Sequence, residues 1–162
     1  FADAPEFASA LQLRELHEHT LVLRTFSKAY GLAGFRVGYG IGTPALIGYL
    51  ERLRAPFNVN NVALAAAEAA LADQAHLRRY LSHNSRERAR VREGLAVLGL
   101  EIAPSQTNFL LVRAAELGDA LLQRGVITRP MPPPIADWLR ITIGSEAEND
   151  RLLTTMRELR GT

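Results

Sequence analysis

The chain has 162 residues, of which 48% are hydrophobic and 22% charged, enough for an ordinary globular fold with an apolar core. The formal net charge of +2 does not favour nucleic acid as a partner, and the absence of cysteine excludes disulfides and thiolate metal sites and is typical of a cytoplasmic protein. No apolar run approaches the roughly 18 residues of a membrane-spanning helix, so we expect neither a membrane span nor a signal peptide.

The first predicted elements are a helix and a strand. Apolar side chains at helical spacing, among them Phe7, Leu11 and Leu16, predict a helix over residues 5–17. The apolar, partly β-branched run at 20–26 predicts a buried strand. Because the sequence begins with Phe1 and not with methionine, we expect a fragment of a longer protein.

The stretch after this strand contains the only lysine among 19 cationic residues, Lys28. A desolvated amine can lose its proton near neutral pH and attack a carbonyl, which a guanidinium cannot do. The hydroxyl of Ser27 and the guanidinium of Arg36 suit phosphate oxygens, and the glycines between residues 31 and 42 allow close backbone approach. This combination favours pyridoxal 5′-phosphate as a cofactor, whereas the alternative is a solvated surface lysine.

A second strand is predicted at 35–41, and Thr43 and Pro44 then predict the start of a helix that runs to about residue 54. The glycines around this strand lack the G-x-G-x-x-G spacing of a dinucleotide-binding turn, so that kind of site is not favoured. An alanine-rich segment predicts a further helix over 61–72, and a segment with few helix breakers predicts a long helix over 74–98.

Four arginines alternate along the long helix, at Arg86, Arg88, Arg90 and Arg92. A spacing of two places neighbouring residues on different faces of a helix, and Glu87 and Glu93 dilute the charge. The pattern therefore favours a solvated helix surface over a nucleic-acid-binding patch. The four histidines have no partners at metal-ligand spacing, so no metal site is expected.

The rest of the sequence alternates between short predicted strands and helices. Gly99 and Gly125 are typical of residues that end helices, and Ser145 with Glu148 forms the pattern of a capping box. The predicted elements are strands at 107–112, 126–129 and 138–143 and helices at 115–124 and from about 146 to 159. They predict a compact α/β arrangement of about three strands with two helices outside.

Two arginines flank a proline-rich segment at 130–134, which we expect to be stiff and extended. Arg129 precedes the segment, and Arg140 follows it within an apolar strand. A guanidinium among apolar residues is costly unless it meets an anion, which here is either a bound ligand or a partner in a structural ion pair.

The segment Thr25-Phe26-Ser27-Lys28-Ala29-Tyr30-Gly31, with Arg36 following, resembles the cofactor-lysine signature of fold type I pyridoxal-phosphate-dependent aminotransferases. Within them it most resembles the histidinol-phosphate aminotransferases. The resemblance implies an α/β fold in which residues 1–75 form the C-terminal part of the large, cofactor-binding domain. Residues 76–162 would form the small C-terminal α/β domain, entered by the long helix.

The same resemblance implies roles for particular residues. Lys28 would bind pyridoxal 5′-phosphate covalently and act in catalysis, while Ser27, Arg36 and Thr25 would hold its phosphate. Arg129 and Arg140 would bind the phosphate and carboxylate groups of the substrates.

The implied reaction is transamination between L-histidinol phosphate and 2-oxoglutarate in histidine biosynthesis, by a cytoplasmic homodimer. An aromatic or other amino-acid aminotransferase, a decarboxylase of phosphorylated amino acids, and a non-catalytic aminotransferase-like sensor domain are the alternatives. A fragment that is inactive by itself is also consistent with the sequence, because family residues that contact the cofactor ring lie upstream of Phe1.

Overall fold

The computed structural model describes residues 1–14 and 19–161. The chain divides into two compact units. Residues 4–80 form one of them, which we name the lysine unit because it contains Lys28. Residues 1–3 together with 81–162 form the other, which we name the sheet unit. The assignment of residues 1–75 and 76–162 to the large and small domains of an aminotransferase stays a prediction.

The lysine unit contains a two-stranded antiparallel sheet and several helices. Its elements are α1 (Ala10–Arg14), β1 (Val22–Thr25), β2 (Gly38–Ile41), α2 (Pro44–Leu53), α3 (Asn61–Ala72) and the start of α4 (Gln74–Val97). The predicted strands and the helices that follow them are confirmed in position, although β2 is shorter than predicted because Ala33–Phe35 forms a 3₁₀ turn. The prediction of a buried first strand was wrong, because only Val22 of the four residues of β1 is buried. Of the predicted helix over 5–17, α1 is present, and residues 15–18, including Leu16, lie outside the described part.

Side-chain caps determine where the helices of the lysine unit begin. The Thr43 hydroxyl accepts a hydrogen bond from the Leu46 amide at 3.3 Å, directly before Pro44 at the first position of α2. The Asn60 side chain accepts one from the Ala63 amide at 2.8 Å at the start of α3. Each cap satisfies an amide that the first helical turn leaves without a partner.

The pairing of β1 with β2 requires a glycine on the second strand. Thr25 lies opposite Gly38 in the register, and a Cβ atom added at Gly38 would lie 2.6 Å from the Arg24 carbonyl oxygen. Because a Cβ atom cannot approach a backbone oxygen so closely, only glycine at position 38 allows this pairing. The strands are therefore held together directly beside the predicted cofactor lysine.

The core of the lysine unit is small. Its buried members are Phe26, Val37, Ala63 and Ala67, with Tyr30, Leu32 and Val59 packed against them. Large apolar side chains elsewhere in the unit are exposed, including Leu53 at 83% and Phe57 at 99% of their surface. The buried core thus joins the ends of the loop between β1 and β2 to one face of α3.

The sheet unit contains a three-stranded antiparallel sheet in the order β3-β5-β4. Its remaining elements are β3 (Phe109–Arg113), α5 (Gly118–Gln123), β4 (Arg129–Pro130), β5 (Trp138–Thr142) and α6 (Glu146–Arg160). The prediction of about three strands with helices outside is confirmed. The ladder between β4 and β5 is short, since only Arg129 and Pro130 pair with Arg140 and Leu139.

Two predictions about the segment before β5 were wrong. Residues 126–128 were predicted as strand, but they leave the ladder and line a cleft of about 430 Å³ with residues of β5 and α6. The prolines at 130–134 were expected to stay extended, but the segment turns, and the Ile135 amide donates to the Pro132 carbonyl at 3.1 Å. Proline fixes its own φ angle but does not prevent the chain from turning after it.

The core of the sheet unit is much larger than that of the lysine unit. Val91 and Leu95 of α4, Leu110 of β3, Leu139 of β5 and Met156 of α6 are all fully buried. Gly99 and Gly125 have positive φ angles and end helices as predicted. Both hydrogen bonds of the capping box of Ser145 and Glu148 are present at the start of α6, which confirms that prediction as well.

The prediction of a solvated surface for the arginine-rich part of α4 was wrong for two residues. Glu87 is 1% exposed and Arg88 8% exposed. The helical repeat places them on the same face as Val91 and Leu95, so they enter the unit with the apolar side chains. Arg88 donates to the Thr107 carbonyl at 3.0 Å and pairs with the Asp3 carboxylate at 3.4 Å, so its buried guanidinium has polar partners.

Glu87 is the centre of a polar network that joins α4 to α6. Its carboxylate accepts hydrogen bonds from Arg90 at 2.7 Å and from the buried Asn149 side chain at 2.9 Å. Arg90 also bonds Asp150 at 2.6 Å. The charge-assisted bond from Arg90, followed by the bond from Asn149, lowers the pKa of Glu87 to about 2 against the opposing effect of burial. Glu87 is therefore ionised in the folded protein at neutral pH.

Within residues 1–14 and 19–161, no helix is long and apolar enough to cross a membrane. The same residues contain no group of three or more histidine, cysteine or acidic side chains that could hold a metal ion.

Candidate active site

The loop between β1 and β2, residues 26–37, carries Lys28 and is closed at its base. The Phe26 amide donates to the Val37 carbonyl at 3.2 Å, which continues the ladder beyond the ends of both strands. The Leu32 amide donates back to the Phe26 carbonyl at 3.0 Å, and the Gly31 amide donates to the Lys28 carbonyl at 2.9 Å. These bonds fold the segment around Lys28 into a tight turn held by the base of the loop.

Phe26 anchors this loop in the core of the lysine unit. Its side chain is 3% exposed, and its ring centroid lies 5.0 Å from that of Tyr30 and 5.8 Å from that of Tyr39. Tilted rings at such distances attract one another in addition to the apolar surface that they bury. Phe26 lies two residues before Lys28, so the packing of its ring determines where the lysine backbone lies.

The predicted phosphate-binding residues lie on or directly before the same loop. The Thr25 hydroxyl donates to the Ser27 hydroxyl oxygen at 2.9 Å and accepts from the Ser27 amide at 3.0 Å. Arg36 has a left-handed backbone, with φ of 53°, and its guanidinium donates to the Ala33 carbonyl at 2.7 Å. The two hydroxyls are thus brought together, while the Arg36 guanidinium bonds the loop backbone.

Lys28 itself is exposed within the described residues. A lysine amine that is reactive at neutral pH is expected to be desolvated. The structure does not show such desolvation, so the loop fixes the position of the lysine backbone without burying its side chain.

Arg129 and Arg140 lie side by side in the sheet unit. They are register partners in the antiparallel pair of β4 and β5, so their side chains project from the same face of the sheet. Like charges directly opposite one another destabilise a sheet. Among the residues that the structure describes, neither arginine has an acidic partner, and the buried Nε of Arg140 has no hydrogen-bond acceptor. The pair thus presents two positive charges that no acidic side chain of residues 1–14 and 19–161 neutralises.

A third arginine on the same face of this sheet, Arg113, differs in its partners. Arg113 lies over the Trp138 ring, at 5.1 Å from its centroid, and forms ion pairs of 2.9 Å each with Glu101 and Asp137. Arg140 lies over the Phe109 ring in a similar way, at 5.4 Å. Among the described residues, two carboxylates neutralise Arg113 and none neutralises Arg140.

Two features of this site were not found from the sequence. Phe109 was predicted only as part of a strand, and its contact with Arg140 depends on the pairing of β3 with β5. The strand alternation places both residues on the polar face of the sheet, but the register that makes them neighbours is a tertiary property. The ion pairs of Arg113 were also missed, because Glu101 and Asp137 lie far from it in the sequence.

The predicted site residues fall into two groups, one in each unit. Thr25, Ser27, Lys28 and Arg36 belong to the lysine unit, and Arg129 and Arg140 belong to the sheet unit. Each unit by itself brings its own group together.

Comparisons with known proteins agree with one another. The family model described as aminotransferase class I and II matches residues 1–156. A histidinol-phosphate aminotransferase of Anaeromyxobacter sp. is 44% identical over 99% of this chain, and the match covers 46% of that relative. Histidinol-phosphate aminotransferase 2 of Ralstonia nicotianae is 50% identical over 82% of this chain and 38% of its own length. The chain thus spans about half the length of the curated relatives that it matches or less.

The solved structures extend this agreement to the fold. The crystal structure of histidinol-phosphate aminotransferase from Sinorhizobium meliloti in complex with pyridoxal 5′-phosphate is 34% identical to this chain. The match has a TM-score of 0.76 and covers 88% of this chain and 42% of that one.

Proposed function

This chain belongs to the class I and II aminotransferase family, has the α/β fold of the fold type I members, and on that basis we propose that it takes part in pyridoxal-phosphate-dependent transamination. The amino donor that we propose is L-histidinol phosphate, and the acceptor is 2-oxoglutarate, in histidine biosynthesis. This choice is supported by the names of the relatives that are 44% and 50% identical to the chain. We further propose that the protein acts as a homodimer in the cytoplasm.

The residues of the lysine unit fit pyridoxal 5′-phosphate. One amine, two hydroxyls and one guanidinium lie on a short closed segment beside the close pairing of β1 with β2. Among the described side chains, the hydroxyls of Thr25 and Ser27 bond only each other. In this proposal Lys28 holds the cofactor covalently through Nζ, and Ser27, Arg36 and Thr25 bind its phosphate. Residues 1–75 would then belong to the cofactor-binding large domain and residues 76–162 to the small domain.

When bound, the cofactor supplies a ring that accepts the negative charge left at the donor Cα. The chain's own contribution is a base: the Lys28 amine, when it is not bonded to the cofactor, removes the proton from Cα and holds it at Nζ. The loop contributes positioning, since the hydrogen bonds at its base and the buried Phe26 fix the lysine backbone before any ligand arrives.

The observation that carries the substrate assignment is the unneutralised pair of Arg129 and Arg140. Two guanidinium groups on one face of the sheet, without an acidic partner in the described chain, suit a ligand group with two negative charges. A phosphate ester provides such a group, and the carboxylates of 2-oxoglutarate provide the same oxygen geometry in the second half of the reaction. The two planar guanidinium groups can therefore bind both substrates in turn.

The test is to add pyridoxal 5′-phosphate to the chain, reduce with borohydride and identify the modified peptide by mass spectrometry. Because Lys28 is the only lysine, the expected product has one cofactor fixed at this residue, and the N-terminal amine at Phe1 serves as an internal control for nonspecific reaction. Equal labelling of both amines would contradict a built site. A separate sample that has not been reduced should yield glutamate on incubation with L-histidinol phosphate and 2-oxoglutarate, whereas release of carbon dioxide from a phosphorylated amino acid would identify a decarboxylase instead.

A further inference from the structure

The polar face of the three-stranded sheet carries two arginines above aromatic rings. Phe109 lies opposite Thr142 in the register of β3 with β5, so it is the diagonal neighbour of Arg140, whose direct partner is Leu111. The Arg140 guanidinium carbon lies 5.4 Å from the centroid of the Phe109 ring. This distance is within the range of a cation–π contact.

We propose that Phe109 is a positioning residue that holds the Arg140 guanidinium ready for an anionic group of the substrate. The inference rests on the proposed function, because it extends the role of Arg140 as a substrate-binding residue. Phe109 would thus take part in substrate binding as well as in the strand β3.

The chemistry of the ring is what makes it suitable. A carboxylate beside Arg140 would also orient the guanidinium, but it would neutralise the charge and occupy the N–H donors that a ligand needs. An aromatic face attracts the cation while leaving these donors free in the plane of the guanidinium. In agreement with this, the described residues offer no acceptor to the buried Nε of Arg140.

Arg113 provides the internal contrast. It lies over Trp138 at 5.1 Å, but its ion pairs with Glu101 and Asp137 already engage Nε and Nη1. On the same face of the sheet, Arg113 therefore lies over an aromatic ring and is neutralised by carboxylates, whereas Arg140 lies over an aromatic ring without a described carboxylate partner. Of these two arginines, Arg140 is the one whose donors are not engaged by a described carboxylate and that can bind an external anion.

Holding Arg140 in place before binding reduces the side-chain entropy that the ligand must otherwise remove. Loss of the ring should therefore weaken anion binding by about three- to tenfold, the range that corresponds to an exposed or partly desolvated cation–π contact. The loss should fall on KM for the phosphorylated donor and leave kcat unchanged, because Phe109 supplies no group to the chemical step.

The experiment measures binding of inorganic phosphate to the 162-residue chain by NMR, following the Nε–H resonances of the arginines. Arg140→Gln identifies the site. Phe109→Leu and Phe109→Met remove the ring but keep an apolar side chain, and Phe109→Tyr keeps the ring. Trp138→Leu is the matched control, since it removes the ring beneath the ion-paired Arg113.

We expect both ringless variants to weaken phosphate binding and to average the Arg140 Nε–H resonance, whereas Phe109→Tyr and Trp138→Leu bind as the parent chain does. If Arg140→Gln weakens binding but both ringless variants bind normally, the role of Phe109 is wrong and the anion site remains. If the parent chain does not bind phosphate, or Arg140→Gln binds it equally well, the anion site of the proposed function is wrong and the role of Phe109 with it. Circular dichroism first shows whether the two ringless variants fold as the parent chain does. If neither folds, the test uses Phe109→Tyr, and weak phosphate binding by this variant would contradict the inference.

Discussion

The two units differ in how their chemically important residues relate to their cores. In the sheet unit, Arg129 and Arg140 lie on the face of the sheet opposite the one that packs Leu110 and Leu139 into the core. In the lysine unit, Phe26 of the core is two residues from Lys28, and both belong to the same closed loop. A core substitution in the sheet unit should therefore lower stability without displacing the arginines. A core substitution in the lysine unit should lower stability and also displace Lys28.

The largest effect that we expect comes from Lys28→Arg. The substitution keeps the positive charge but removes the only side-chain amine, so transamination should fall to background, a loss of about 10⁴-fold or more. Because the side chain is exposed, the free energy of unfolding should change by less than about 0.5 kcal/mol. Activity is measured by glutamate formation and stability by urea titration. Transamination near the parent rate would overturn the role of Lys28, and a large loss of stability would show that this position carries structure as well.

Phe26→Ala tests the coupling in the lysine unit. Removal of this buried ring should cost about 3–5 kcal/mol and also release the loop, so that the Leu32 amide exchanges its hydrogen faster. Leu95→Ala is the matched control, because it empties part of the other core at about 2–5 kcal/mol. Hydrogen exchange followed by NMR distinguishes the two variants.

The coupling is supported if exchange at Leu32 rises in Phe26→Ala and stays unchanged in Leu95→Ala. Equal acceleration in both variants would mean that the chain opens as one cooperative body and that the comparison of the two units does not hold.

Glu87→Gln tests the stability of the sheet unit apart from the face that we propose to bind the substrate. The pKa of Glu87 falls from an ordinary 4.5 to about 2 in the folded protein, so its ionised form stabilises the fold above about pH 4.5, and this contribution is lost as the pH falls toward 2. The substitution should lower the free energy of unfolding at pH 7 by about 3 kcal/mol and flatten its pH dependence between 4.5 and 2.

Urea titrations of the parent chain and Glu87→Gln across this pH range provide the measurement. Phosphate binding at Arg140 should be retained, since Glu87 lies on α4 and has no hydrogen bond to the sheet arginines. A parallel pH dependence in the two proteins would show that Glu87 does not carry this titration.

The smallest effect that we predict is that of Ser145→Ala. The hydroxyl accepts from the Glu148 amide and donates to the Glu148 carboxylate at 2.7 Å, so its removal should cost about 1 kcal/mol at the start of α6. Ser145→Asp is the rescue variant, because aspartate also caps helices. The loss should appear in the urea midpoint, with phosphate binding unchanged. A loss as large as that of Glu87→Gln would indicate that the cap also supports the polar network.

Local signals in the sequence were sufficient for most elements of the fold. The cap at Thr43, the capping box at Ser145 and the glycines at 99 and 125 act within a few residues, so their effects do not depend on the rest of the structure. The placement of Lys28 just after a strand was predicted from the apolar run before it and is confirmed.

The features that the sequence did not reveal depend on distant parts of the chain. Glu87 looks like one charge among many on α4, and although its partner Arg90 is local, the buried Asn149 side chain that also donates to it lies 62 residues away. Residues 126–128 have the composition of a strand but lie outside the ladder with β5. The contact of Phe109 with Arg140 needs the register of two strands that are far apart in sequence. None of these can be obtained from local periodicity.

The glycines that border the lysine loop differ in how much substitution they tolerate. Gly31 has φ of +72° with no atom within 4 Å of an added Cβ, so asparagine, which accepts this backbone, should replace it at a modest cost. Gly38 has room for no side chain at all, because its neighbour is a backbone oxygen that cannot move aside. In a library with all twenty residues at both positions, folded survivors should be varied at 31 and uniformly glycine at 38. Directed evolution of this loop therefore has to proceed around a fixed Gly38.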